Sequence, residues 1–306
     1  MNASRRWLIV VPSFVAVAAL IMIAFGVSRH GTAHDYPDIE AIVAPGVSLQ
    51  SLPWSPDLPA DFEEFRVSNS NYIVLRVGDT LVDFENGDRI REVGEPVQSF
   101  SFVGGGLAVL TSAGSLAYLD EHSLQDVGPS PVGATRLQAS EDGNELLLLR
   151  DQEPFGLASL DSNGKVHLLT GSPDPIVAAA GTFARHIFAT VDELYLQEAD
   201  SSPLLLLRLP DQKFLGLAIQ EGNIYFSTRK GVYAVHGGIA LPLVLGLGGP
   251  LESARAGLLV MNGDNNRIYR IEQVHTVAMV PNTSMLAMQV HSESFVRGRR
   301  KILCGF

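Results

Sequence analysis

The stretch at residues 257–272, "GLLVMNGDNNRIYRIE", decides the fold. An apolar run, "LLVMN" (258–262), leads into a polar segment and then a second β-like run, "RIYRIE" (267–272). Asn, Asp and Gly are the residues that supply the positive φ angles of tight hairpins, and Asn and Asp oxygens also bind metal ions. The stretch therefore predicts either a ligand cage or a hairpin turn. Its recurrence along the chain distinguishes the two.

The same unit recurs six times between residues 61 and 281. Six equivalent apolar runs are separated by 34 to 41 residues: "YIVLR" (72–76), "LAVLT" (107–111), "ELLLLR" (145–150), "HIFATV" (186–191), "NIYFST" (223–228) and "LLVMN" (258–262). One further β-like segment precedes each run and two follow it, and no amphipathic helix is found after residue 28. Such repeats bury their sheets by stacking on one another. The pattern predicts an all-β fold, a β-propeller of six four-stranded blades.

The number of blades depends on how the ring closes. Two β-like segments precede the first repeat, "IEAIVAP" (39–45) and "VSLQSLP" (47–53), and two follow the last, "SMLAMQV" (284–290) and "RKILCGF" (300–306). Together these segments could form another blade. Six blades is the preferred prediction, and seven is the alternative.

The last two repeats resemble a known family. "LLVMNGDNNRIYRIE" resembles an NHL repeat, in which a strand, a turn rich in Asp, Gly and Asn, an Asn-Arg-Ile motif and a second strand follow one another. "GNIYFSTRKGVYAVHGG" (222–238) is similar to the same unit. The resemblance implies a propeller of the kind common outside the bacterial cytoplasm. It does not imply one function, because this fold hosts binding proteins, scaffolds, lyases and lactonases.

The first 28 residues indicate a membrane anchor. Arg5 and Arg6 precede 21 uncharged residues, from Trp7 to Val27, which as a helix would span roughly 31 Å, close to the bilayer core. The flanking arginines predict a cytoplasmic N-terminus and a propeller outside, in the periplasm if the source is Gram-negative. A cleaved signal peptide is the alternative, because Ala24-Phe25-Gly26 offers small residues at cleavage spacing.

The flanking segments differ from the repeats in composition. Residues 29–60 contain five prolines and are predicted to form an extended tether, with possible strands at 39–43 and 47–52 and with Trp54 packed against the body. Residues 282–306 form a basic tail that could also help to close the propeller. Between them, residues 31–281 carry 15 Lys and Arg against 32 Asp and Glu, a net charge of −17. This acidity excludes nucleic acid as a partner.

No catalytic, cofactor-binding or metal-binding residue is predicted. The chain has no G-x-S-x-G motif, its histidines are scattered, and its single cysteine, Cys304, excludes an intrachain disulfide and a Cys-based metal site. Propeller lactonases, which resemble the gluconolactonase group, hold a divalent cation with Glu, Asn and Asp on separate blades near the axis. The predicted axial strands offer no evenly placed Asn and Asp set. Their polar acids and amides are Glu63, Glu64, Gln138, Gln220 and Glu252.

The best candidates for a binding surface are the turns between the second and third strands, which share one face of a propeller. Their candidate partner-binding residues are Arg150, Asp151, Glu153, Phe155, Arg229, Lys230, Asn262, Asp264 and Asn265. The combined prediction is a non-catalytic, membrane-anchored propeller, a subunit or scaffold that binds a membrane protein or complex. The alternatives are a lactonase-like metal-dependent hydrolase or lyase, and a carbohydrate- or peptide-binding module.

Overall fold

The computed structural model contains six antiparallel sheets, one for each sequence repeat. It describes residues 40–54, 58, 61–90, 95–119, 124–182, 185–198 and 201–273. These residues form 24 strands and a single 3₁₀ turn, Pro131–Gly133. The prediction of an all-β, six-bladed propeller is confirmed. The predicted membrane segment (7–27) lies outside the described residues, and within them no helix is long and apolar enough to cross a bilayer.

Blades two, three and four each contain four strands in chain order, as the repeat predicts. In blade two the strands are β6 (Val97–Val103), β7 (Gly106–Thr111), β8 (Ser115–Leu119) and β9 (Leu124–Pro129). In blade three they are β10 (Arg136–Ala139), β11 (Leu146–Arg150), β12 (Gly156–Leu160) and β13 (Val166–Gly171). In blade four they are β14 (Ala178–Thr182), β15 (Arg185–Ala189), β16 (Glu193–Glu198) and β17 (Leu204–Arg208).

The other three blades depart from this plan. Blade one has β3 (Glu64–Val67), β4 (Ile73–Val77) and β5 (Thr80–Asp83). In place of a fourth strand, the described residues of blade one have an isolated bridge from Val82 to Arg89. Blade five has β18 (Gly216–Gln220), β19 (Asn223–Thr228), β20 (Gly231–His236) and β21 (Ile239–Leu245), with β1 (Ile42–Val43) added as a fifth strand. Blade six has β22 (Leu251–Ala254), β23 (Gly257–Asn262) and β24 (Arg267–Gln273).

The ring is closed by an N-terminal strand. β2 (Val47–Ser51) pairs with β24 in antiparallel register, with Leu49 opposite Ile271, and is the fourth strand of blade six. In the repeat pattern, the fourth segment of the last repeat is "HTVAMVP" (275–281), which lies outside the described residues. Trp54 follows β2 and stacks on Phe62, with ring centroids 5.6 Å apart. The pairing of β2 with β24 inside blade six therefore closes the ring.

Each seam between neighbouring blades contains its own hydrophobic cluster, so six clusters serve six seams. Phe100 in blade two packs with Val74 in blade one, and Phe226 in blade five packs with Ile187 in blade four. Fully burying one such side chain contributes about 1.5–3 kcal/mol. Because every blade buries both faces this way, the blades stabilise one another and the disc is rigid.

The two faces of the disc carry different connections. On the hairpin face, the first and second strands of each blade join, as at Gly143 and Gly222, whose positive φ angles (69° and 77°) suit tight reversals. On the opposite face, which we call the crossover face, the second and third strands join and the chain passes between blades. The predicted partner-binding turns lie on the crossover face.

Candidate functional site

The predicted turn of blade three is held by contacts within its own blade. Arg150 ends β11, and its Nη2 donates to the carbonyl oxygen of Glu153 at 3.2 Å. The backbone N–H of Asp151 donates to Thr135 Oγ1 at 3.1 Å. Arg150 is half-buried, Asp151 and Glu153 are exposed, and Phe155 is half-buried at the start of β12. The turn therefore presents charge and one aromatic ring to solvent.

The predicted turns of blades five and six are also ordered locally. Arg229 and Lys230 are exposed, and the N–H of Lys230 donates to Thr228 Oγ1 at 3.1 Å. Asn262 is 3% exposed, and its Oδ1 accepts the N–H of Asp264 at 3.0 Å. These bonds answer the question posed by residues 257–272, because the asparagine oxygen closes the hairpin turn instead of facing a ligand.

The remaining residues of that turn follow the same pattern. Asn265 Oδ1 accepts the N–H of Arg267 at 3.0 Å, and its Nδ2 donates to the Tyr269 hydroxyl at 3.0 Å. Asp264 is exposed. The hydrogen bonds described above for the turns of blades three, five and six each stay within one blade. The structure thus places these residues on one face without assembling them into a single cluster.

A buried ionic network, by contrast, crosses the centre of the ring. Arg66 on β3 is 6% exposed and lies between two carboxylates. Its Nη1 donates to Glu252 Oε1 and its Nη2 to Glu64 Oε1, both at 2.6 Å. The same guanidinium donates to the carbonyl oxygens of Phe100 (3.1 Å) and Leu137 (2.8 Å). One side chain therefore bonds to blades one, two, three and six.

The charges of this network are balanced by neighbouring side chains. Glu64 Oε2 accepts from Arg76 Nε at 3.2 Å, and Glu63 Oε2 accepts from Arg76 Nη1 at 2.5 Å. Burial lowers the pKa of the Arg66 guanidinium, but Glu64 and Glu252 outweigh burial and raise that pKa above its ordinary value. Burial raises the pKa of the Glu252 carboxyl, and Arg66 acts in the opposite direction. Arg66 therefore stays charged and binds both acids.

Other inner-strand side chains form further hydrogen bonds between blades. Gln138 Nε2 reaches across to Glu252 Oε1 at 3.2 Å. Gln220 Nε2 donates to the Ala254 carbonyl oxygen at 2.8 Å, and Arg136 Nη1 donates to the Val177 carbonyl oxygen at 2.7 Å. Burial, and then the positive charge of Arg66, lower the pKa of Arg136. These polar bonds thus link blade three to blades four and six, and blade five to blade six.

Sequence reasoning placed Glu64, Gln138 and Glu252 on axial strands, and the structure brings all three into one network. It missed Arg66 and Arg136, although both stand in predicted axial strands. The available signal was their spacing, because Arg66 is two residues from Glu64 and Arg136 is two residues from Gln138. Residues two apart in a strand share a face.

A second buried pair lies between blades three and four. His186 Nε2 is 3.6 Å from Glu145 Oε2, and both side chains are nearly inaccessible. Among the described residues, no hydrogen-bond partner is found for either nitrogen of His186 or for Glu145 Oε2. Burial lowers the pKa of His186 and raises the pKa of Glu145. Both shifts favour the uncharged forms, as expected for groups removed from water.

The fold is shared with solved structures of low sequence identity. XC5397 from Xanthomonas campestris, a gluconolactonase important in glucose secondary metabolic pathways, has a TM-score of 0.58 at 12% identity, over 79% of this chain and 96% of its own. An X-ray structure provisionally assigned as a gluconolactonase has a TM-score of 0.56 at 12% identity, over 76% and 93%. BBS1N, solved in complex with ARL6DN, has a TM-score of 0.51 at 11% identity, over 73% and 80%.

These similarities show the propeller fold alone. No family model and no curated protein sequence matches the chain. The NHL-like resemblance of the last two repeats stays a prediction.

The axial residues do not fit the divalent cation that the lactonase resemblance implies. A hard cation needs several converging oxygen ligands. Here Glu64 and Glu252 both direct their Oε1 atoms at the guanidinium of Arg66, which lies between them. Among the described residues, no group of three or more His, Cys, Asp and Glu side chains is placed to hold a metal ion. The positive charge near this axis comes from arginine.

Proposed function

We propose that this protein is a non-catalytic, membrane-anchored extracytoplasmic propeller that binds a membrane protein, as a subunit or scaffold of a complex. The observation that carries the proposal is Arg66, bonded to both Glu64 and Glu252. Because this network pairs both axial carboxylates with an arginine instead of aiming them together at a metal ion, we infer that the protein acts by binding at the faces of the disc.

The path of the chain supports the crossover face as the side nearer the membrane. β1 runs antiparallel to β21, with Ile42 opposite Leu245. Leu245 is also opposite Gly231, which follows the turn at Arg229 and Lys230. Residue 40 therefore enters the disc at the crossover face. An anchor at residues 7–27 would be joined to this face through only about a dozen residues, and tethering raises the local concentration of the disc near membrane partners.

The exposed side chains of the crossover face suit a protein contact. Asp151, Glu153, Arg229 and Lys230 offer charges of both signs, and Phe155 offers an aromatic ring. Aromatic and arginine side chains contribute most of the free energy in many protein interfaces. We infer that the turns of blades three and five form the partner-binding surface.

The test is purification of the full-length chain from its native membrane after brief cross-linking. We expect one or more membrane proteins to be recovered in fixed stoichiometry, with cross-links at the crossover face. The variants Phe155→Ala and Arg229→Ala/Lys230→Ala should reduce recovery several-fold. A matched control, Arg255→Ala, removes an exposed charge from the hairpin face and should leave recovery unchanged. Recovery of a monomer alone would contradict the proposal.

A further inference from the structure

A cavity of about 800 Å³ opens at the centre of the hairpin face, opposite the predicted turns. All six blades contribute to its wall, which includes the last residues of first strands, such as Ala139, Gln220 and Ala254. Its volume is in the range of small-molecule sites, about 300–1,000 Å³. It is the mouth of the central channel, and nothing in the proposed function uses it.

The cavity exists because the blades contribute side chains of unequal size. Blades four and five line it with Ala180 and Ala218, whereas blades three and six line it with Gln138 and Glu252. The small side chains leave room that the longer side chains of Gln138 and Glu252 do not fill.

Glu252 places a carboxylate oxygen with spare bonding capacity in the wall. Its side chain is 9% exposed, and its Oε1 is bonded to Arg66 at 2.6 Å and to Gln138 at 3.2 Å. In the described residues, the closest hydrogen-bond donor to its Oε2 is the same Gln138 amide, at 3.4 Å. A carboxylate oxygen can accept two hydrogen bonds. A hydrogen-bond donor that enters the cavity would therefore supply Glu252 Oε2 with a further hydrogen bond.

The charge of the lining favours a cation. The wall and rim contain three carboxylates, Glu141, Glu221 and Glu252, against one cation, Arg255. Arg66 lies outside the lining, where it pairs with Glu64 as well as Glu252. A recess lined by one sign of charge concentrates ions of the opposite sign.

The cavity also extends outward between blades one and two, over an apolar surface. Tyr72 and Phe102 line this part and meet edge to face, with ring centroids 6.1 Å apart. Both are half-buried, as is Ile90, and Leu119 lies beside them in the lining. This arm offers contact to an apolar or aromatic group but little hydrogen bonding.

We propose that this cavity binds an organic cation. An ammonium or guanidinium group donates to Glu252 Oε2, and an attached apolar body lies against Tyr72 and Phe102. The cation comes either from a free amine or from a basic side chain of a peptide, since both present the same chemistry. This site lies on the other face from the proposed partner surface, so either proposal can fail without the other.

Calorimetry with the full-length protein in detergent tests the proposal. The probes are phenethylamine, the capped dipeptide acetyl-arginyl-phenylalanine amide, neutral 2-phenylethanol and anionic phenylacetate. We expect at least one cationic probe to bind about tenfold or more tightly than 2-phenylethanol, because a charge-assisted hydrogen bond is stronger than a neutral one. The tighter of the two cationic probes identifies the source. No cation binding, or equal binding of phenylacetate, would overturn the site.

Variants distinguish specific binding at Glu252 from general attraction of cations to an acidic protein. Glu141→Gln/Glu221→Gln should weaken cation binding about two- to fivefold, as expected for exposed charges. Glu153→Gln/Asp264→Asn removes the same charge from the crossover face and should leave binding unchanged. Glu252→Gln should abolish binding, provided that its melting curve shows a folded protein. Equal weakening by the two double variants, or full binding by folded Glu252→Gln, would contradict the proposal.

Discussion

At the scale of single residues, Arg66 joins strands that are far apart in the chain. Its partner Glu252 is 186 positions away, and its bonding partners lie in four blades. A guanidinium suits this position because its planar fork of five donors can serve several acceptors at once, which an ammonium cannot do in the same geometry. The sequence alone did not indicate the network, because an arginine in an alternating strand is equally compatible with a solvated face.

Removing Arg66 should strongly destabilise the protein. Arg66→Leu leaves Glu64 and Glu252 without their shared cation, and an uncompensated buried charge costs about 3–5 kcal/mol. We expect the free energy of unfolding, measured in urea, to fall by that amount.

The double variant Arg66→Leu/Glu252→Leu is the matched control. Because it removes the buried charge together with its partner, it should recover a substantial part of the loss. Equal stabilities of wild type and Arg66→Leu would show that the ion pair contributes nothing.

His186 makes stability depend on pH. Its pKa in the folded protein lies below the ordinary value of about 6.5. The contribution of neutral His186 to folding stability is therefore complete above pH 6.5 and is lost as the pH falls through the folded-state pKa. Glu145 changes stability in the opposite direction. Because its pKa is raised in the folded state, it stabilises the folded protein more at acidic pH than at neutral pH. The two effects overlap and must be separated by substitution.

We therefore compare Glu145→Gln with Glu145→Gln/His186→Leu at pH 7.5 and pH 5. On acidification the first variant should lose about 1 kcal/mol or more of stability beyond the second, since one pKa unit corresponds to about 1.4 kcal/mol. Parallel losses in the two variants would mean that His186 does not carry a depressed pKa.

At the scale of elements, the repeat pattern predicted the blades well and the closure poorly. Each second strand matches its predicted run to within two residues at either end, because burial on both faces of a sheet leaves a clear apolar run. The partner of the last sheet was missed for a physical reason. Val47–Ser51 pairs with a strand more than 200 residues away, and β periodicity indicates a strand without indicating its neighbour.

The aromatic contact at the closing seam should matter for stability. Trp54 stacks on Phe62 and meets Phe84 edge to face, and Arg267 Cζ lies 5.2 Å from its ring centre. Trp54→Ala removes these contacts between blades six and one, and large-to-small changes of this kind cost about 3–5 kcal/mol when fully buried.

Because Trp54 is half-buried, we expect a loss of about 2–3 kcal/mol in thermal or urea unfolding. Trp54→Phe, which keeps a ring at the seam, should lose less than half as much. If Trp54→Ala melts like the wild type, the seam is not held by this side chain.

At the scale of the whole molecule, the protein is a disc whose central strands are linked by the hydrogen bonds of Arg66 and whose two faces differ. The crossover face carries exposed charged turns beside the entry of the chain, and the hairpin face carries the acidic cavity. The fold and the position of the axial acids could be predicted from the sequence repeat. The cavity could not be predicted from the repeat, because its volume depends on how side chains from six blades meet at one point.

The central proposal is that the axial acids pair with an arginine instead of a divalent cation and that the disc binds partners without hydrolysing substrates. The most direct test is the rate of D-glucono-δ-lactone hydrolysis by the purified full-length protein, with Ca²⁺, Mn²⁺ or Zn²⁺ added in turn and then removed by EDTA. We predict a rate equal to the protein-free background under every condition. Hydrolysis that one of these ions stimulates and EDTA abolishes would contradict the account.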